Sequence, residues 1–323
     1  MSLDADMLVD RRRLKRRLSL WRFVAVILGF TVLIVGGFGI AGQAGLFTFN
    51  NHIARVTIDG VISDDRKQQA LFDKIVASDE VQGVIVHINS PGGTTTGSEA
   101  LYAAIRRAAA KKPVVGVLGT VAASGGYVAA LATDHIVARG NTVTGSIGVV
   151  FQWAQVSELM QKLGVKVETI KSGPLKAEPS PFTPMPDEAR ALAEAMILDS
   201  YEWFVGLVEQ RRPFEAARAR ELSDGRIYTG RQALEAQLID EIGGEKTALT
   251  WLHEVKGLES GLEVVDWSTT TLEDLTWGGS AMSMLLRAFG FGELAETILL
   301  AQKTLRTETL SLDGLISVWH PAP

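Results

Sequence analysis

Short apolar runs alternate with amphipathic stretches through the middle of the chain. Residues 83–89 and 114–118 have the β-branched, apolar composition of buried strands. Residues 53–62 alternate between apolar and polar as a strand does, and residues 135–138, 147–151 and 167–170 are predicted to be further short strands. Other stretches have the apolar spacing of helices: residues 71–76, 98–110, 156–163, 186–212, 213–222, 230–236 and 246–255. Strands that alternate with helices through right-handed crossovers predict an α/β fold, with a parallel sheet and helices on its faces.

The amino-terminal part has a different pattern. Residues 23–50 contain no Asp, Glu, Lys or Arg, and residues 23–40 are almost wholly apolar. About 20 such residues cross a bilayer as a helix, and the basic cluster at 11–17 places the amino terminus in the cytoplasm. The small-residue pattern Gly42-Gln43-Ala44 leaves cleavage as a signal peptide open. Because the apolar span is long, we favour an uncleaved anchor and divide this part into a basic segment, a transmembrane signal anchor and a linker, at 1–22, 23–44 and 45–52.

Composition narrows the classes of function. The 323 residues are 46% hydrophobic, carry a net charge of -5 and have a mean hydropathy of +0.15. Since there is no cysteine, disulfides, thiolate metal sites and a cysteine nucleophile are excluded. The basic cluster could bind nucleic acid, but its place beside an apolar span favours a role in membrane topology, so no nucleic-acid partner is expected.

A serine stands where the strand at 114–118 gives way to a helical pattern. Ser124 is followed by Gly125-Gly126, and a second glycine-rich break, Pro91-Gly92-Gly93, ends the preceding strand. Ligands bind at the carboxyl edge of such sheets. An ordinary helix cap is the alternative for Ser124, at even odds on this segment alone. Nucleotide binding is weakly supported, because no Gly-Lys-Ser/Thr motif is present.

A serine nucleophile needs a base. None of the five histidines, at 52, 87, 135, 253 and 320, belongs to a motif. A neutral lysine is the other option, and its pKa would have to fall from about 10.4 to about 7 or 8 through burial. Lys176 lies in a loop rich in Gly and Pro, between Leu175 and Ala177, where burial is expected, and Lys171 is the nearest alternative.

Five ordered motifs point to one family. They are Ile88-Asn89-Ser90-Pro91-Gly92-Gly93, Ala122-Ala123-Ser124-Gly125-Gly126-Tyr127, Thr144-Gly145-Ser146-Ile147-Gly148-Val149, Lys171-Ser172-Gly173 with Lys176, and Asp224-Gly225-Arg226-Ile227-Tyr228-Thr229-Gly230-Arg231-Gln232-Ala233. Over residues 56–244 the chain resembles the bacterial signal peptide peptidase A family in its short, single-domain form. This resemblance implies the Clp/crotonase-like fold, a parallel β-sheet of ββα repeats with flanking helices, which we assign to residues 53–258. A carboxyl-terminal extension without a recognised motif follows at 259–323.

The resemblance also implies roles for residues. Ser124 corresponds to the nucleophile, Lys176 to the general base and Ser146 to a residue that orients the lysine. Gly93 and Gly125 correspond to the oxyanion hole, in agreement with their place in two strand-end loops. Further residues are expected to bind substrate: Gly92, Thr94, Gly145, Ile147 and Gly148. One departure is that Ala177 follows Lys176 where an acidic residue is expected.

The function that the resemblance implies is a membrane-anchored serine endopeptidase that hydrolyses cleaved signal peptides and other short hydrophobic peptides. Its catalytic domain would lie outside the bacterial cytoplasmic membrane, and no metal or organic cofactor is expected. Substrate would bind extended, beside residues 145–150 or 92–95. We also expect a homo-oligomeric ring, in which the dyad forms within one chain or between two. The alternatives are an inactive membrane-anchored scaffold of the same fold and, more remotely, an acyl-CoA hydratase or isomerase.

Overall fold

The computed structural model describes residues 50–269, the backbone of residues 316–318, and the isolated residues Trp21 and Gly29. Apart from these two, the predicted basic segment, membrane anchor and most of the linker lie outside the described residues, as does most of the carboxyl-terminal extension. Within the described part, no helix is long and apolar enough to span a bilayer.

The described strands form one sheet. Their bounds are β1 His52–Ile62, β2 Val81–Thr94, β3 Val114–Ala123, β4 His135–Ala138, β5 Val143–Gly145, β6 Ile227–Thr229, β7 Glu241–Ile242, β8 Glu263–Trp267 and β9 Ile316–Val318. The main path runs β6-β5-β3-β2-β1-β8, while β4 joins β3 and β7, and β9 joins β2. All pairs are parallel except β5 with β6 and β2 with β9. The sheet is therefore mixed, although its centre is parallel as predicted.

Helices flank this sheet. Their bounds are α1 Arg66–Ala77, α2 Thr95–Ala109, α3 Gly125–Leu131, α4 Ser157–Lys162, α5 Asp187–Arg211, α6 Ala216–Leu222, α7 Gly230–Glu235 and α8 Glu245–Glu254. Neighbouring residues of one strand point to opposite faces. Ala54 and Val84 lie in the larger core, which includes residues of α1, α2 and α3, whereas Ile53 and Ile85 pack with Leu252 of α8. Burial on both faces explains why the central strands are almost continuously apolar.

Two predicted strands are wrong. The segment 147–151 is not a continuous strand, because the ladder is formed instead by β5, directly before it. Positive φ angles at Gly145 and Ser146, of 81° and 52°, turn the chain out of the sheet at that point. Residues 167–170 have no regular structure, and Ile170 is fully exposed. Apolar residues there suggest a strand, but no described strand pairs with them.

Two further differences concern the edges of the sheet. Gly92 and Gly93 were predicted to lie in a break after a strand, yet β2 continues through them to Thr94 and pairs with the end of β1. Residues 263–267 were not predicted as a strand, and they pair with the beginning of β1 as β8. Since β8 stops at Trp267, the part of β1 after Val56 has β2 as its only described neighbour.

Candidate active site

Ser124 occupies a sharp turn between β3 and α3. Its φ and ψ are 55° and -119°, its hydroxyl does not cap the helix, and the residue is 1% exposed. A non-glycine residue at positive φ costs of order 1–3 kcal/mol, and such residues cluster at functional sites. The backbone N–H of Ser124 donates to the carbonyl oxygen of Gly145 at 2.8 Å, and its own carbonyl accepts from Tyr127 and Val128. The ordinary helix-cap alternative is therefore excluded, and the turn is the strained strand-to-helix type that presents a nucleophile.

The two glycine-rich loops meet beside Ser124. A methyl group on Gly125 would lie 2.3 Å from the Ser98 hydroxyl oxygen and 3.1 Å from the Gly93 nitrogen. A methyl group on Gly93 would lie 1.7 Å from the carbonyl oxygen of Ile62. Both positions therefore require glycine on packing grounds. The same contacts place the Gly93 nitrogen next to the first residue after the serine, as an oxyanion hole built from these two loops requires.

Ser90 supports the first of these loops, a role that sequence reasoning missed. The side chain is fully buried, and its hydroxyl oxygen accepts a hydrogen bond from the Gly92 N–H at 3.1 Å. Gly92 itself has a φ of 114°. The carbonyl oxygen of Ser90 lies where a side chain on Gly126 would go, at 2.6 Å from that methyl position. The sequence did contain a signal for this role, a serine directly before Pro91-Gly92-Gly93. Serine hydroxyls commonly form a hydrogen bond with the backbone two residues later in a turn.

Ser146 lies at the same edge of the sheet. It follows Gly145, which pairs with Ala123, so it is placed next to the Ser124 turn. Its backbone N–H donates to the carbonyl oxygen of Arg226 at 2.8 Å, and the residue is half-buried. This contact explains why the Asp224-Gly225-Arg226 motif accompanies the serine motifs: it holds the turn that carries Ser146.

The other predicted substrate-binding residues also lie near this edge. Thr94 ends β2, and its hydroxyl accepts from the Gly97 N–H at 3.0 Å, so it caps α2. Gly148 is half-buried. Ile147 is fully buried, so its side chain contributes to the core rather than to an open surface.

Lys176 lies on the loop between α4 and α5. Contrary to the burial expected from its apolar neighbours, the residue is exposed, and its ammonium forms no hydrogen bond or ion pair with a described residue. The backbone N–H of Lys176 donates to Gly173, and Ala177 has a positive φ of 63°, so Lys176 stands in a tight turn. The single chain therefore brings together the serine, the two glycines and Ser146, but does not join the Lys176 ammonium to them.

Lys171, the nearest alternative base, is already paired. Its ammonium donates to the Glu178 carboxylate, whose side chain is 6% exposed and also accepts from the Ser180 N–H at 3.0 Å. The Lys171 hydrogen bond holds the pKa of Glu178 below its ordinary value. This ion pair closes the loop around Lys176, so Lys171 is placed to support the loop, and sequence reasoning had missed Glu178 as its partner.

The described histidines lie far from Ser124 along the sheet. His135 pairs with Val115, nine residues before Ser124, which is about 30 Å in an extended strand, and His87 pairs with Val117. His52 lies at the opposite end of β1 and accepts from the Trp267 indole N–H at 3.1 Å. His253 lies in α8, whose Leu252 packs with Ile53 at the beginning of β1, and its ring contacts the carbonyl of Leu258. No described histidine is within reach of Ser124. The described residues also hold no group of three His, Asp or Glu side chains arranged for a metal ion.

Comparison with known proteins finds proteases among the chains that are similar to this one. Residues 106–259 match the model of peptidase family S49, and residues 52–141 match that of Clp protease. A provisionally named protease of Synechocystis sp. is 34% identical over 75% of this chain and 88% of its own length. A provisionally named signal peptide peptidase SppA of Enterococcus faecium is 33% identical over 72% of each chain. The solved structure of a membrane-bound stomatin-specific protease aligns with a TM-score of 0.45 at 17% identity, over 68% of this chain and 99% of that one.

Proposed function

The chain belongs to the signal peptide peptidase A family of proteases, and from this premise we propose that it is a membrane-anchored endopeptidase with a Ser124/Lys176 dyad. Its substrates would be cleaved signal peptides and other short hydrophobic peptides. The observation that carries the proposal is the strained, buried turn at Ser124, with the Gly93 and Gly125 amides beside it. Acyl transfer needs a nucleophile and oxyanion donors in this arrangement.

In the proposed mechanism, neutral Lys176 takes the proton of the Ser124 hydroxyl, and the serine oxygen attacks the peptide carbonyl. The N–H groups of Gly93 and Gly125 stabilise the negative charge that develops on the carbonyl oxygen. The Lys176 ammonium then protonates the leaving amine, and water releases the acyl group by the same route. Ser146, next to the Ser124 turn, would accept a hydrogen bond from the lysine and orient it.

The exposure of Lys176 supports a homo-oligomer. A lysine base must be neutral, and burial is the usual way to favour its neutral form. Large apolar side chains are exposed in the same part of the chain: Val150, Leu159, Leu163, Val165, Val167, Ile170, Phe182 and Leu198. An apolar surface of this extent marks an interaction site. We assign it to contact with a second copy in a ring, which would bury the Lys176 loop against a serine site.

An apolar pocket supports the proposed choice of hydrophobic substrates. A cavity of about 150 Å³ lies under the Lys176 loop and is lined mainly by apolar side chains, among them Phe151, Leu175, Leu192 and Met196. An apolar side chain of a bound peptide would lose its contact with water there. In the proposal, residues 23–44 anchor the chain in the cytoplasmic membrane with the catalytic domain outside. Hydrophobic peptides released in that membrane would then reach the site by lateral diffusion.

The second candidate function is an inactive scaffold of the same fold. The observation that favours it is the lack of a described contact between the Lys176 ammonium and the Ser124 turn. The two functions differ in whether Ser124 reacts with a serine-directed reagent in the intact oligomer.

Labelling of the detergent-purified chain with a fluorophosphonate probe separates the two functions. We expect labelling at Ser124 that rises from about pH 6 to about pH 10, as the lysine becomes neutral. It should be lost in Ser124→Ala and Lys176→Ala, but kept in Lys166→Ala, which removes another exposed lysine of the same region. Labelling that survives in Lys176→Ala would refute the assigned base. A fully assembled oligomer that does not label at any pH would refute the protease proposal in favour of the scaffold.

A further inference from the structure

Tyr228 lies in the motif at 224–233, and the proposed mechanism gives it no role. It is the central residue of β6 and is 8% exposed, whereas Ile227 and Thr229 on either side of it are exposed. Successive side chains of a strand point to opposite faces, and in β6 it is Tyr228 that enters the larger core. A buried aromatic ring therefore belongs to the strand that pairs antiparallel with β5.

The Tyr228 ring packs against Gly145, the last residue of β5. A methyl group on Gly145 would lie 2.5 Å from the ring carbon Cδ2 and 3.1 Å from Cε2, so the ring occupies the space that a side chain would need. Gly145 has a φ of 81°, which glycine adopts without strain. Because glycine has no side chain to hold it in one conformation, the neighbouring ring is what restrains this residue on that side.

Gly145 links both serines of the candidate site. Its carbonyl oxygen accepts a hydrogen bond from the Ser124 N–H at 2.8 Å, and Ser146 follows it directly in the chain. The Ser146 N–H donates to the carbonyl oxygen of Arg226, two residues before Tyr228. A shift of Gly145 therefore moves the Ser124 turn and the Ser146 turn together.

The tip of the Tyr228 side chain is fixed as well. Its hydroxyl donates to the carbonyl oxygen of Leu222, the last residue of α6, at 3.1 Å. The next carbonyl, that of Ser223, accepts from the Tyr201 hydroxyl of α5 at 2.8 Å, so a second helix holds the end of α6. The ring is thus held at its base by the β5–β6 ladder and at its tip by α6, and it cannot turn away from Gly145 without losing the bond to Leu222.

We infer that Tyr228 is a positioning residue for the reaction proposed above, on which this inference rests. Its ring holds Gly145 in place, and through Gly145 it sets the orientation of Ser124 and Ser146. A misplacement of about 1 Å at a reacting group can cost about 100-fold in rate, so loss of the ring should lower kcat about tenfold to a hundredfold. Since Tyr228 acts through Gly145, KM should stay within about twofold.

Substitutions that separate the ring from the hydroxyl test this role in the full membrane-anchored chain. Tyr228→Leu removes the ring, and Tyr228→Met removes it while filling more of the core, because methionine adapts to irregular gaps. Tyr228→Phe keeps the ring and loses only the bond to Leu222. The control is Phe72→Leu, which removes a fully buried ring of the same core from α1, the helix after β1; three strands separate β1 from β6.

Kinetics with a fluorogenic hydrophobic peptide give the comparison. We expect the fall in kcat in Tyr228→Leu and Tyr228→Met, whereas Tyr228→Phe and Phe72→Leu should keep kcat within about threefold of the wild type. Recovery of kcat in Tyr228→Phe would show that the ring contact, rather than the hydroxyl, positions the site. If Tyr228→Met and Phe72→Leu have the same kcat, the inference is overturned.

Hydrogen exchange separates this inference from the proposed chemistry. The exchange rate of the Ser124 backbone N–H, resolved by fragmentation in a mass spectrometer, reports its bond to Gly145 without any hydrolysis. We expect exchange about tenfold faster in Tyr228→Met than in Phe72→Leu, which controls for a general loss of stability. That result supports the positioning role even if the wild-type chain proves not to hydrolyse peptides. Exchange no faster than in Phe72→Leu refutes it, even if Ser124 labels with the fluorophosphonate probe.

Discussion

Ser90→Ala tests whether a buried hydroxyl holds the oxyanion loop in place. The Ser90 hydroxyl is the acceptor for the Gly92 N–H at 3.1 Å, and the side chain is fully buried. Removing it leaves a buried N–H without its partner, which costs about 1–3 kcal/mol of folding free energy. Since Gly93 follows directly, relaxation of Gly92 shifts the proposed oxyanion donor.

The effect on rate has an upper bound. Complete loss of one oxyanion donor costs about 2.7–4 kcal/mol, or about 10²–10³ in kcat. A displaced donor costs less, so we expect kcat to fall about tenfold to a hundredfold in Ser90→Ala. The donor acts mainly in the transition state, so KM should stay within about twofold.

The control is Thr133→Val, which removes another buried hydroxyl, one that donates to the carbonyl of Ala130 at 2.7 Å. Thr133 packs against Gly116 of β3, at the other end of that strand from Ser124, so this variant should lower the melting temperature without changing kcat. Kinetics with a fluorogenic peptide and thermal unfolding of both variants give the comparison. If Ser90→Ala loses stability but keeps kcat within about twofold of Thr133→Val, the positioning role is refuted.

Three further predictions follow from other contacts. Gly125→Ala places a methyl 2.3 Å from a buried hydroxyl oxygen, so it should abolish fluorophosphonate labelling, and normal labelling would contradict the assigned turn. Glu178→Gln weakens the ion pair with Lys171 that closes the loop of the proposed base; we expect kcat to fall with little change in melting temperature, and an unchanged kcat would argue against that support. Arg55 holds the pKa of Asp266 below its ordinary value of 3.8, chiefly through its hydrogen bond. Ionised Asp266 therefore stabilises the fold above that pH, and this stability is lost as pH falls through the lowered pKa. Asp266→Asn should melt at a lower temperature than the wild type at about pH 5, and the difference should shrink as the pH falls below 3.8; a constant difference would contradict the assignment.

The candidate site depends on contacts between motifs that are distant in sequence. The Ser124 turn is held by Gly145, and the Ser146 turn that follows is held by the carbonyl of Arg226. Both contacts join backbone groups, so the side chains in the sequence do not indicate them. The motifs could therefore be recognised together in the sequence, while the reason for their association needed the fold.

The pattern of apolar residues by itself determined the core of this protein. Strands β2 to β4 were predicted because burial on both faces leaves an almost continuous apolar run in the sequence, whereas β1 was predicted from its alternation of apolar and polar residues. Most helices were predicted because one face of each is apolar. Ser124 was found because a serine followed by two glycines, between a strand and a helix, is a local feature.

Tertiary structure decided strand pairing and side-chain burial wherever these depend on a segment distant in sequence. Residues 167–170 have the composition of a strand but pair with no described strand, whereas residues 263–267 become a strand because the edge of β1 is available to them. Lys176 is exposed because no described part of its own chain covers its loop, which its apolar sequence neighbours could not reveal. The pairing of β9 with Gly92 to Thr94 likewise depends on where β3 turns away from β2. Local sequence determines which conformation a segment favours, but hydrogen bonds between strands and burial of a side chain require a second surface, and only the folded chain supplies it.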